Sequence, residues 1–184
     1  YKREGTAITP LAKPVSFVLE SIYEGALEGA TAQERAAYDS KVSDAQERAV
    51  TTTSVLATVK DTMEVLRSAI NRTQGDISKL ETQFADVQTE VNALSRELYG
   101  LESRDRKGIK PANITSRLRY ARSAVGSSYG PTVQHQDQLR YASEGLVAVS
   151  KRVSALQQTT VPELQRAVVN AGGPWTAGLP VITE

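Results

Sequence analysis

From residue 77 to residue 101 the chain reads ISKLETQFADVQTEVNALSRELYGL, in which Ile77, Leu80, Phe84, Val87, Val91, Leu94, Leu98 and Leu101 recur at alternating spacings of three and four. An apolar residue about every 3.5 positions keeps one face of an α-helix apolar along its length, as in the seam of a coiled coil. Such a stripe has to be covered, and its cover lies just upstream. Val42, Ala45, Ala49, Thr52, Leu56, Val59, Met63, Leu66 and Ile70 follow the same rhythm, with Thr52 the one polar member. Thr31-Ala32-Gln33-Glu34 has the pattern of a capping box, so this upstream helix is expected to run from Ala32 to about Arg72. Gln74-Gly75-Asp76 turns the chain between the two stripes, Gly75 suiting a left-handed helix end and Asp76 the next N-cap. The expected unit is an antiparallel helical hairpin.

Downstream the pattern is interrupted and then resumes. Glu102 to Pro111 reads as an exposed loop carrying Arg104, Arg106, Lys107 and Lys110. Asn113 is placed to cap a short helix bearing Ile114, Leu118, Ala121 and Val125. Gly126 to Pro131 then makes a turn, and Thr132 caps another helix. The stripe of that helix, Leu139, Ala142, Leu146, Val149, Val153 and Leu156, slips by one residue to Val161, Leu164, Val168 and Ala171, so a kink or break is expected at Pro162. Helix lengths of about 60, 39, 18 and 60 Å suit one arrangement, in which the broken middle pair runs down between two long helices that run up. The fold class is therefore all-α: an elongated antiparallel three-layer helical bundle over residues 24–173. An extended N-terminal segment (1–23) precedes it and an irregular tail (174–184) follows. Pro10 and Pro14 keep the N-terminal segment out of helix. Val15 to Leu19 is β-prone and reads as the last strand of an upstream domain. Trp175 is expected to pin the tail against the bundle.

Composition narrows the function classes. Lys and Arg total 22 against 21 Asp and Glu, a net charge of +1, so no broad single-sign field is available for nucleic acid. There is no cysteine, which removes disulfides, thiolate nucleophiles and Cys-based metal sites. No apolar run approaches the roughly 20 residues needed to span a bilayer, so the chain is expected not to be membrane-spanning. It opens at Tyr1 with neither an initiator Met nor a signal peptide, and is expected to be a processed product or a piece of a larger protein. His135 is the single histidine and falls in the first turn of a helix, where it reads as solvated or capping. Glu64, Glu81, Asp86, Glu90, Glu97 and Glu102 fall between stripe positions, where carboxylates serve solubility and i,i+4 pairing. Catalytic, cofactor-binding and metal-ligating residues are therefore expected to be none. The candidate partner contacts are Arg104, Arg106, Lys107, Lys110 and Trp175. Asn71-Arg72-Thr73 and Asn113-Ile114-Thr115 match the N-glycosylation sequon.

Several segments in order carry a resemblance: Pro14-Val15-Ser16-Phe17, Ile114-Thr115-Ser116-Arg117-Leu118, Ser127-Ser128-Tyr129-Gly130-Pro131-Thr132, Val161-Pro162-Glu163-Leu164, and Gly173-Pro174-Trp175-Thr176-Ala177-Gly178. From about residue 10 to residue 182 the chain resembles the C-terminal helical region of large bacterial sortilin-like proteins with Asp-box (BNR) repeats, often labelled glycosyl hydrolases. The resemblance implies β-propellers upstream and export to the periplasm, the cell surface or the exterior, with the helices as an appendage. The Asp-box pattern itself is absent here, so no catalytic residue of the family has a counterpart. The expected function is a non-catalytic structural or interaction module, a spacer or docking bundle. Its protein partner would be the upstream propeller or an envelope assembly. The alternative is an accessory domain of a glycan-active hydrolase or of a peptide-binding propeller protein.

Overall fold

A computed structural model describes residues 2–4, 7–9, 12–13, 15–18, 29–100 and 112–176. The chain is an all-helical bundle, preceded by a short hairpin in which β1 (Lys2–Glu4) pairs antiparallel with β2 (Ala7–Thr9).

The first long helix, α1 (Ala32–Ile70), starts at the expected capping box. The Glu34 amide donates to Thr31 Oγ1 at 3.2 Å and the Thr31 amide donates to Glu34 Oε2 at 2.8 Å. The Thr31 amide and hydroxyl, both donating to Glu34 Oε2, hold the Glu34 carboxyl below its ordinary range. Every member of the first stripe is buried except the half-buried Ala49. Thr52 is buried with its hydroxyl satisfied: Oγ1 donates to the Arg48 carbonyl at 2.8 Å and lies 2.7 Å from Ser150 Oγ. After the turn, α2 (Ser78–Tyr99) begins one residue later than Asp76 would place it, with Ile77 in the N-cap position. Asp76 still acts as the cap acceptor, because its Oδ1 takes bonds from Ser78 N and Oγ at 3.0 and 2.7 Å. They draw the Asp76 carboxyl below its usual range.

The remaining elements are α3 (Ile114–Arg122), α4 (Val133–Ala155) and α5 (Val161–Asn170). Contacts at successive levels show the antiparallel order. At one end the Ala30 amide donates to the Tyr129 carbonyl at 3.0 Å. Higher up, Tyr38 Oη donates to the Ala121 carbonyl at 2.8 Å, fastening α1 to α3. Midway, Arg152 of α4 clamps α2: Nε and Nη2 grip Glu90 at 2.7 and 3.1 Å, and Nη1 reaches Glu97 at 2.6 Å. Thus α1 runs up, α2 and then α3 come down, and α4 with α5 runs up again. One continuous core joins them, from Tyr38 and Val42 through Leu66, Val91, Leu94 and Leu146 to Val168.

The stripe slip near Pro162 does not break the helix. Leu156–Thr160 forms a π-helical turn, in which the Val161 amide bonds back to the Leu156 carbonyl. A π turn admits one extra residue, which absorbs the slip and keeps Leu156, Val161, Leu164 and Val168 on the buried face. It also seats Pro162 in the first turn of α5, where a missing N–H is tolerated. From 133 to 170 the helix is about 57 Å long, matching about 58 Å for α1.

Val15 to Val18 are exposed and without regular structure, and the two strands lie earlier in the chain. Leu19 lies outside the described residues. Trp175 does not pin the tail, being 52% exposed; Thr176, at 4%, is the buried one. The backbone approach here is close: at Gly173 a Cβ would press on Thr73 Oγ1 and on the Val168 carbonyl at 2.8 Å.

The Arg152 clamp makes a pH prediction. Hydrogen bonds from Arg152 are the largest cause holding the Glu90 carboxyl below its ordinary range. A depressed carboxylate contributes stability above that range and loses the contribution as pH falls through its folded value. The pair is over a third exposed, so solvent screening reduces its worth to a few tenths up to about 1 kcal/mol. Glu90→Gln is therefore expected to lower the urea midpoint at neutral pH and to match the parent near about pH 3. An equal gap at both values would mean that the clamp's charge contributes nothing.

Candidate functional site

α3 is nine residues long and would be marginal alone. Its first turn is tied at both ends of one carboxamide: Asn113 Oδ1 accepts from the Ser116 amide at 2.9 Å and Nδ2 donates to the Tyr99 carbonyl at 2.9 Å. That use engages the Asn113 carboxamide of the second sequon, whereas Asn71 of the first is exposed. Ile114, Leu118 and Ala121 turn inward and are buried. At about 100° per residue, burying that set pushes Arg117, Arg119, Tyr120 and Arg122 to the flanks and outside.

Each of these has a defined place. On the α4 side, Arg117 Nη1 donates to Gln138 Oε1 at 2.7 Å, and its guanidinium lies 5.3 Å from the Tyr141 ring centre. Tyr120 stacks on His135 with centres 4.8 Å apart and planes 21° from parallel. His135 is at the same time the third residue of the α4 capping box. Its Nδ1 accepts from the Thr132 amide at 3.2 Å, which assigns the ring proton to Nε2, 3.3 Å from Ser123 Oγ. On the α1 side, Arg122 Nη1 donates to Gln46 Oε1 at 3.2 Å. Arg119 is exposed and has no partner among the described residues.

The electrostatic character follows from those partners. Arg117 and Arg122 are held by neutral amides, which orient a guanidinium without cancelling its charge. Arg140 and Arg152, by contrast, meet carboxylates: Asp137 and Glu144 for the first, Glu90 and Glu97 for the second. Residues 112 to 136 contain no Asp or Glu, so the outer face of α3 is a local cationic, partly aromatic surface on a nearly neutral chain. Sequence reasoning missed this face. Its signal was present: from Arg106 to Gln136 the chain holds Arg106, Lys107, Lys110, Arg117, Arg119 and Arg122 and no acidic residue. In sequence the cationic run of the loop continues into the helix. Arg104, Arg106, Lys107 and Lys110 lie outside the described residues. Trp175 follows α5 at the far end of the bundle, and the structure does not bring it to α3.

A concavity runs along the α1–α4 seam, an open groove of about 1470 Å³ over Tyr38, Ala45, Leu139 and Leu146. Its charges alternate in sign, with Lys41, Arg48 and Arg140 set among Glu34, Asp44 and Glu47. Among the described residues no group of three or more His, Asp or Glu side chains is placed to hold a metal ion, and no helix is long and apolar enough to cross a membrane. The chain matches no protein-family model, no curated protein and no solved structure.

Proposed function

We propose that this chain is a non-catalytic interaction module: a stiff helical spacer that holds the outer face of α3 at a set distance from whatever its ends join. The observation that carries this reading is the continuous core running the length of α1 and the α4–α5 rod, closed on its third side by α2 and α3. A core continuous from Tyr38 to Ile70, about 48 Å along α1, resists bending, as a spacer must. Setting inside an exported, propeller-bearing parent belongs to the same proposal, on the strength of the resemblance alone.

The absence of cysteine makes the test clean. Spin labels at Ser40→Cys and Ser68→Cys, both exposed on α1, are expected to give one narrow distance distribution near about 42 Å. A broad or bimodal distribution would remove the spacer reading. The α1–α4 groove favours a second reading, an accessory domain that helps shape a peptide or glycan groove in a larger enzyme. Deleting residues 29–176 from the parent and finding substrate affinity unchanged would dispose of it.

A further inference from the structure

We infer that the outer face of α3 is a docking site for a short acidic segment of a partner protein. The inference rests on the reading of the chain as an interaction module and adds the chemistry of what docks. Three guanidinium groups belong to one helix, Arg117 on its α4 flank, Arg122 on its α1 flank and Arg119 on its outer side. Arg117 and Arg122 are fixed by Gln138 and Gln46, so they are positioned before any anion arrives and keep their full charge. Arg119, between them, is unengaged among the described residues. Guanidinium forks recognise carboxylates with paired hydrogen bonds, and prior positioning lowers the entropy lost on binding. Exposed Tyr120 and Tyr141 border the same surface, giving a peptide chain amphipathic area to lie against.

Size and surroundings choose the acidic peptide over a longer polyanion. α3 is about 14 Å long, the reach of about four extended residues. On the flanking helices the charge is mixed in sign. Asp39 lies on the α1 side, Asp137 and Glu144 on the α4 side, and Glu97 near the end of α2. A nucleic-acid strand or an anionic bilayer would extend past the three arginines and meet those carboxylates. A segment with two or three carboxylates would not.

The test uses the full chain and a fluorescein-labelled peptide with about four central glutamates, the length that spans α3. Its glutamine counterpart, an oligothymidylate and phosphatidylserine vesicles are run alongside. The glutamate peptide is expected to bind, to weaken as salt rises, and to lose about tenfold in affinity with Arg119→Glu. Arg119 makes no contact whose loss would unfold the chain, and circular dichroism verifies the fold of the variant. Lys60→Glu, the same charge change on the upper part of α1, is expected to leave affinity unchanged. Any of four results overturns the proposal: no binding, equal binding of the glutamine peptide, equal loss in the Lys60 variant, or tighter binding of the oligonucleotide or the vesicles. The spin-label distances do not depend on these outcomes, so a stiff spacer with a different docking chemistry is distinguishable from a failed spacer.

Discussion

Leu146→Ala is expected to lower the unfolding free energy by about 2–5 kcal/mol, while Val147→Ala, the next residue on the same helix, changes it by no more than about 0.5 kcal/mol. Leu146 is 2% exposed and sits in the core, and Val147 is 61% exposed. Adjacent helical residues point about 100° apart, which is enough to move a side chain from the packed seam to the groove wall. Truncating Leu146 loses transfer free energy and leaves a cavity that its neighbours can fill only in part. Truncating Val147 removes atoms already in contact with water. For a domain of ordinary stability, about 5–15 kcal/mol, the first change removes a large share of the total. Urea unfolding followed by circular dichroism measures both. Equal effects would mean that α4 is rotated by a residue relative to the described packing.

The second large effect is expected at the turn between α3 and α4. Gly126 and Gly130 both have φ of +83°, a left-handed conformation in which a Cβ costs about 1–2 kcal/mol. Gly126 faces open space, so Gly126→Ala should cost only that conformational penalty. At Gly130 a Cβ would run into the Ala30 methyl, well inside van der Waals contact. Neither side can easily give. The Ala30 amide is bonded to the Tyr129 carbonyl at 3.0 Å, and a methyl carried directly on the backbone moves only if the backbone does. Gly130→Ala is therefore expected to add an overpacking cost of about 1–3 kcal/mol to the conformational one. The gap between the two variants, read from their urea midpoints, isolates the contact that ties the start of α1 to this turn. A gap of zero would place Ala30 elsewhere.

Much of the helical bundle was legible because coiled-coil seams are written locally. The stripes through Leu56, Met63 and Leu66 and through Val91, Leu94 and Leu98 need only the helical repeat to show which face is inward, and those residues are buried. Caps are equally local, since Thr31, Asn113 and Thr132 bond to amides three residues away. The candidate docking face was legible only in part. Its charge is visible as a long stretch without Asp or Glu, yet whether each arginine is neutralised depends on partners far away in the chain. Gln46 lies 76 positions from Arg122, and Gln138 lies 21 from Arg117.

By itself the sequence determined the helices, their buried faces, their caps and the turns that set their direction, because each depends on interactions spanning a few residues. Tertiary structure alone decided the rest. The slip near Pro162 became a π turn rather than a break, because keeping Val161, Leu164 and Val168 in a continuous core outweighs one irregular turn. Thr176 rather than Trp175 went inside, an exchange that no local repeat marks. Arg152 met the carboxylates of α2 while Arg117 and Arg122 met neutral amides, because the neighbour each of these guanidinium groups meets is fixed by helix packing. A repeat along the chain says which way a side chain faces; only packing says what it faces.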